Sequence, residues 1–153
     1  MMFQNLNSQE NKMIEFYKRA MSNMDGGELA DAFYMCLPYR FDFYCNQWCQ
    51  DVLDLAYRMM QSGLIWIAYF DEYDTAEEAK NIFEQMAEQS PNIIDGLAIW
   101  STYQYYLSGA GQAFWDEWKT SDDDALYWQK LNHIFDEHHV GFDKSCFVPV
   151  KFE

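Results

Sequence analysis

The side chains able to do chemistry here are three histidines, four cysteines and 25 acidic residues. His133, His138 and His139 lie on or just after the last stretch of helical pattern. His133 and His138 are five apart, poor spacing for two ligands on one helical face. Cys146 joins them only through a chain reversal, and nothing matches the spacing of zinc ligands. These histidines read as satisfied or surface side chains, and no metal or cofactor is expected. Cys45 and Cys49 sit one helical turn apart, which suits packing better than a disulfide. With no flanking motif they read as reduced thiols and not as nucleophiles. The opening MMFQNLNSQE has neither a basic region nor an apolar run, so no secretory signal is expected. The compartment expected is the cytoplasm, where Cys36, Cys45, Cys49 and Cys146 stay reduced. Gly109 and Gly111 lack the lysine and the preceding strand of a phosphate loop.

Carboxylates dominate the remaining chemistry. Asp71 with Glu72, Asp116 with Glu117 and Asp136 with Glu137 are adjacent pairs. A glycosidase needs two carboxylates at a set spatial separation, which adjacency in the chain does not provide. As a set the acids say more. Asp71-Glu72-Tyr73-Asp74, Asp116-Glu117-Trp118 and Asp122-Asp123-Asp124 each lie beside aromatic residues. Aromatic anchors inside a charged rim are the anatomy of tight protein interfaces. The formal net charge of −15 repels nucleic acid and anionic membranes and favours a basic partner. These ten residues are therefore the candidate partner-binding set, with Tyr73 and Trp118 as anchors. The expectation requires the acidic loops to converge in space.

The elements that must position them follow from periodicity. At 153 residues, half of them hydrophobic, residues 1–153 are expected to form one globular domain with its own core. Asn7 to Glu10 resembles a capping box for a helix running to about Met24, ended by Asp25-Gly26-Gly27. Glu28 to Leu37 predicts a short helix with Leu29, Phe33 and Leu37 inward, stopped by Pro38. Tyr39 to Tyr44 is a dense aromatic connection. Trp48, Val52, Leu55 and Met59 recur at helical spacing, widened by Cys49, Ala56 and Met60, and Gly63 is placed to cap that helix. Leu64 to Phe70 is an unbroken apolar run, expected as a strand buried on both faces. Thr75 and Glu78 form a capping box for a helix lined by Ala79, Ile82, Phe83 and Met86, closed by Ser90-Pro91. Asp95-Gly96 reads as a turn. Leu97 to Leu107 reads as a strand with Ile99, Tyr103, Tyr105 and Leu107 on one face, broken by Ser108 to Gly111. Gln112 to Trp118 is a short aromatic helix or turn. Ser121 and Asp124 start a last helix carrying Tyr127, Leu131, Ile134 and His138 on one face, ended by Gly141. Phe147 to Phe152 reads as an edge strand. The fold class expected is α+β, mostly helical, with a small sheet.

The middle of the chain carries a resemblance. A helix ends in MMQSGLIWIA, a capped helix TAEEAKNIFEQMAEQS follows, and LAIWSTYQYYLSGAG closes the pattern. This order over residues 48–111 resembles winged-helix-like immunity proteins of bacterial polymorphic and contact-dependent growth inhibition toxin systems. It implies Leu64 to Phe70 and Leu97 to Leu107 as sheet strands, and an antitoxin that neutralises a cognate toxin. DNA binding is disfavoured, because Thr75 to Gln89 sets four glutamates against Lys80 where a recognition helix needs basic residues.

The function expected is that of a non-enzymatic immunity protein covering the active site of a basic toxin. A nuclease is the favoured toxin, since nuclease surfaces must be positive to hold phosphates. A phage-encoded nucleic-acid mimic blocking a restriction or CRISPR complex predicts acids spaced along one face. A small cytosolic hydrolase predicts a pocket holding a carboxylate with a raised pKa. An acidic assembly subunit predicts self-association through exposed aromatics.

Overall fold

The computed structural model describes residues 6–37 and 45–152; Pro38 and the aromatic connection Tyr39 to Tyr44 lie outside them. The architecture is α+β and mostly helical. Helix α1 spans Ser8–Asn23, α2 Ala32–Met35 and α3 Asn46–Gln61. Strand β1 (Ile65–Ile67) is followed by α4 (Lys80–Glu88) and α5 (Ile94–Thr102). Strand β2 (Tyr105–Leu107), α6 (Gly109–Trp118) and α7 (Asp124–Glu137) complete the order. The two strands pair antiparallel, with Ile65 opposite Leu107 and Trp66 opposite Tyr106.

Helix α3 is the axis of the core. Eleven of its sixteen residues are buried, and α4 and β1 pack directly on it. Trp48 stacks on Phe33 and on Trp100, with ring centroids 6.1 and 5.8 Å away. The helix stops at Gly63, whose φ of 76° is the left-handed geometry expected of a glycine cap. At its other end the Cys45 sulfur accepts from the Trp48 amide, while Cys49 is buried and its thiol pushed up to about 12 by desolvation. The α1 capping box is complete: the Asn7 side chain accepts from the Glu10 amide and Glu10 accepts from the Asn7 amide.

Several expectations are corrected. The predicted helix over Glu28 to Leu37 shrinks to four residues. Ala30 instead pairs with Tyr105, exchanging hydrogen bonds of 2.9 and 2.7 Å, so the backbone before Asp31 is extended. Leu29 and Leu37 are exposed, and Ala32 and Met35 face inward. Leu64 to Phe70 forms only a three-residue strand with an exposed centre, because a two-stranded sheet covers one face and leaves the other open. Asp95-Gly96 is no turn. It lies inside α5, where a Cβ on Gly96 would stand 1.7 Å from the Ser90 carbonyl oxygen. The missing side chain lets α5 close onto the end of α4. Trp100 then inserts its ring fully into the core and donates its indole N–H to the carbonyls of Met86 and Gln89. Burying that ring overrides the strand propensity of Leu97 to Thr102. Ser108 does not merely break a strand; its hydroxyl caps α6 by accepting from Gly111.

The capping hydrogen bond from the Glu78 amide to Thr75 is present, but the regular helix begins at Lys80, after an intervening turn. Helix α7 ends at Glu137, and the chain turns through His139 at φ 62°, ahead of Gly141. Phe135, not His138, completes its buried face. The segment from Phe147 to Phe152 is no strand. It is held by a polar stripe of α3 instead. Asn46 donates to the Phe152 carbonyl, Gln50 bonds both Val148 and Val150, and Asp54 accepts from the amides of Cys146 and Phe147. Arg58 donates to the carbonyls of Val140, Gly141 and Lys144. Asn46, Gln50, Asp54 and Arg58 recur every four residues, which places them in one row along the helix.

Candidate functional site

The expected partner-binding residues fall into two groups with different duties. Trp118 is buried against Phe114 and Tyr127, at 6.3 and 6.5 Å between ring centroids, and so belongs to the core. Asp116 accepts from Lys119 at 3.0 Å and from Gln112 at 2.9 Å. Those bonds hold the Asp116 carboxyl below its ordinary range. Lys119 also reaches Asp25, at 3.6 Å. Asp123 caps α7 by accepting from Leu126, and Asp124 pairs with Lys18 at 2.8 Å. Glu117 and Asp122 are exposed. Trp118 and Asp124 thus join α6 to α7 and α7 to α1, while Asp116 and Asp123 bond within or at the ends of their own helices.

The group Asp71, Glu72, Tyr73 and Asp74 is different. No basic side chain pairs with its three carboxylates among the described residues, and all three are exposed. Tyr73 is half-buried, its ring 5.8 Å from Phe70. The loop borders a small cavity of about 130 Å³ together with Trp66, Ile67, Phe70 and Tyr106. Trp66 and Tyr106 face each other across the two strands, edge to face at 6.1 Å, on the open side of the sheet. Trp66 is 42% exposed, and Tyr69 is 88% exposed.

Tyr69 is also held at φ 66°. An aromatic residue in the left-handed region costs on the order of 1–2 kcal/mol, and such strain clusters at functional positions. The surroundings are one-signed: between Arg58 and Lys119 the sequence has one basic residue, Lys80, against ten acids. No hydrogen bond, ion pair or ring contact among the described residues joins the 71–74 loop to residues 116–124. The exposed or half-buried aromatics of this face that sequence reasoning missed are Trp66, Tyr69 and Tyr106. An unbroken apolar run hid the first two, since alternation of exposure is invisible when every residue is apolar.

A second, larger cavity of about 360 Å³ opens between α1, α3, α7 and the C-terminal segment. Gln9, Glu10 and Met13 line it from α1, and Asp51, Asp54 and Arg58 from α3. Trp128, Phe142 and Ser145 close the far side. Arg58 is 4% exposed and donates to the Tyr17 hydroxyl at 2.9 Å besides its three carbonyls. Its guanidinium lies 5.1 and 5.2 Å from the centres of the Phe142 and Phe147 rings. Burial raises the two α3 carboxyls on the cavity wall, Asp54 and Asp51, the latter to about 6. The raised carboxyl in a pocket is the feature a hydrolase would need. Yet Asp51 bonds only Gln47, and Asp54 is committed to the Cys146 and Phe147 amides and Gln50. Among the described residues neither has a nucleophile or a second titrating group in hydrogen-bond reach, so the arrangement suits binding better than general acid–base catalysis.

The histidines do not assemble: His133 reaches Glu137, and His138 bonds the Ile134 carbonyl. No group of three or more metal-ligating side chains occurs among the described residues, and no helix there is long and apolar enough to cross a membrane. Comparison with known proteins gives no match to any family model, curated protein or solved structure.

Proposed function

We propose that this chain is a binding protein that captures a basic protein partner on the face formed by Trp66, Tyr69, Tyr106 and the acids Asp71, Glu72 and Asp74. The observation that carries the reading is Tyr69, almost fully exposed in a strained backbone beside three carboxylates with no cation partner among the described residues. Exposed aromatics supply buried contact area at low entropic cost, and the surrounding charge steers a positive partner toward them. The charge balance supports the finer reading of an immunity protein, which the resemblance over residues 48–111 first suggested. Its partner is then a toxin nuclease domain, silenced by occlusion of its phosphate-binding surface. Asp116, Glu117, Asp122, Asp123 and Asp124 contribute field more than contact, since several are already paired within the fold.

The test is capture from the source cell with wild type and with the charge-reversed pair Asp71→Lys and Asp74→Lys as baits. A basic nuclease domain held only by wild type, and inhibited by it in a cleavage assay, supports the reading. Capture that is indifferent to the reversal, or a partner that is not basic, rejects it.

A further inference from the structure

We propose that the cavity between α1, α3, α7 and the C-terminal segment is a binding site for a small organic cation bearing an alkylammonium or guanidinium group. Its lining brings three carboxylates, Glu10, Asp51 and Asp54, against the single cation Arg58. None of the three makes an ion pair among the described residues. Arg58 does not offer a hand to an anion, because its nitrogens already donate to Tyr17, Val140, Gly141 and Lys144. The cavity is therefore acidic in net charge, and Arg58 acts on Asp51 only through its field, with no ion pair to Asp51 among the described residues.

The geometry supplies the rest of the site. Asp51 keeps one amide donor, Gln47 at 2.9 Å, and so retains acceptor capacity for a charged donor. Trp128 forms an aromatic wall, stacked on Phe142 with ring centroids 3.7 Å apart and braced edge-on by Tyr17 at 5.5 Å. An indole beside a carboxylate attracts a desolvated cation through its ring quadrupole as well as by charge. The volume of about 360 Å³ lies at the small end of ligand pockets, which fits a diamine or agmatine. The ionisable groups facing Asp51 are Glu10 from α1 and Asp54 and Arg58 from its own helix. The α7 and C-terminal walls add Trp128, Phe142 and Ser145. Loss of the Asp51 charge on acidification weakens the site.

The experiment titrates putrescine and agmatine into the whole chain, followed by calorimetry and by the Trp128 indole N–H resonance, with 1,4-butanediol as the neutral isostere. Saturable one-to-one binding is expected at pH 7.5 in physiological salt. It weakens about tenfold at pH 5, one unit below the Asp51 value. Asp51→Asn weakens it at pH 7.5 and removes the loss on going to pH 5, and Trp128→Leu provides a second disruption that leaves the charge in place. No saturation up to roughly 10 mM overturns the proposal. So does equal binding of butanediol, an unmoved Trp128 signal, or full affinity in Asp51→Asn. The site shares no residue with the Trp66 and Tyr69 face, so either proposal can fail alone.

Discussion

The polar row on α3 and the acidic loop after β1 use charge in opposite ways. Along α3, Asp54 and Arg58 are each 4% exposed, and their oxygens and nitrogens are spent on the backbone of residues 140–147. In the loop, Asp71, Glu72 and Asp74 stand in water with no cation partner among the described residues. A buried charge is tolerable only when its hydrogen bonds are complete, and removing one member leaves the others stranded. An exposed charge contributes little to folding and is available to a partner. The first region ties residues 140–152 to α3, and the second leaves its carboxylates in solvent.

The largest effect separating the two is expected from Arg58→Ala. It strips donors from Tyr17 and three carbonyls and should destabilise the fold by about 3–5 kcal/mol in a denaturant melt. Asp71→Ala should stay within about 0.5 kcal/mol of wild type. Similar losses at the two positions would break the contrast. The double reversal Asp71→Lys and Asp74→Lys should slow association with a basic partner by about ten- to a hundredfold at low salt. Its melting curve should remain that of wild type.

Tyr69→Gly relieves the left-handed backbone and removes the exposed ring. A gain of about 1 kcal/mol in stability together with weaker partner capture is expected. A loss of stability would mean that the ring supports the fold.

The smallest effect sharpens the first region through pH. The folded-state value of Asp51 is about 6, above the ordinary 3.8. The native state therefore holds the proton over that window while the unfolded chain releases it, and stability falls as pH rises from about 4 to about 6. Asp51→Asn removes that fall. Allowing for solvent screening, the variant should gain on the order of 1 kcal/mol at pH 7.5 and nothing at pH 3.5. A gain that is independent of pH would assign it to something other than the carboxylate.

How much of this was legible beforehand differs by element. The α1 cap, the α3 face from Trp48 to Met60 and the α4 face were readable, because each is a local pattern of spacing and capping. The strand expected over Leu97 to Leu107 holds only over Tyr105–Leu107, since the burial of Trp100 against the end of α4 turns Leu97 to Thr102 into helix. Trp118 and Tyr69 show the same limit at the candidate site. Both are aromatic with an acid one or two positions away, yet one is enclosed by Phe114 and Tyr127 and the other stands in solvent. Neighbours in sequence do not reveal which rings a helix will turn inward.

The sequence by itself determined the acidity, the mostly helical α+β class and the dominance of α3. Those rest on composition and on periodicities that repeat within one or two turns. Only the tertiary structure decided which carboxylates are neutralised, which aromatics stay exposed and that Glu10, Asp51, Asp54 and Trp128 share one cavity. Each of those outcomes depends on residues tens of positions apart meeting in space. Their meeting is set by the shape of the whole core and not by any local stretch of chain.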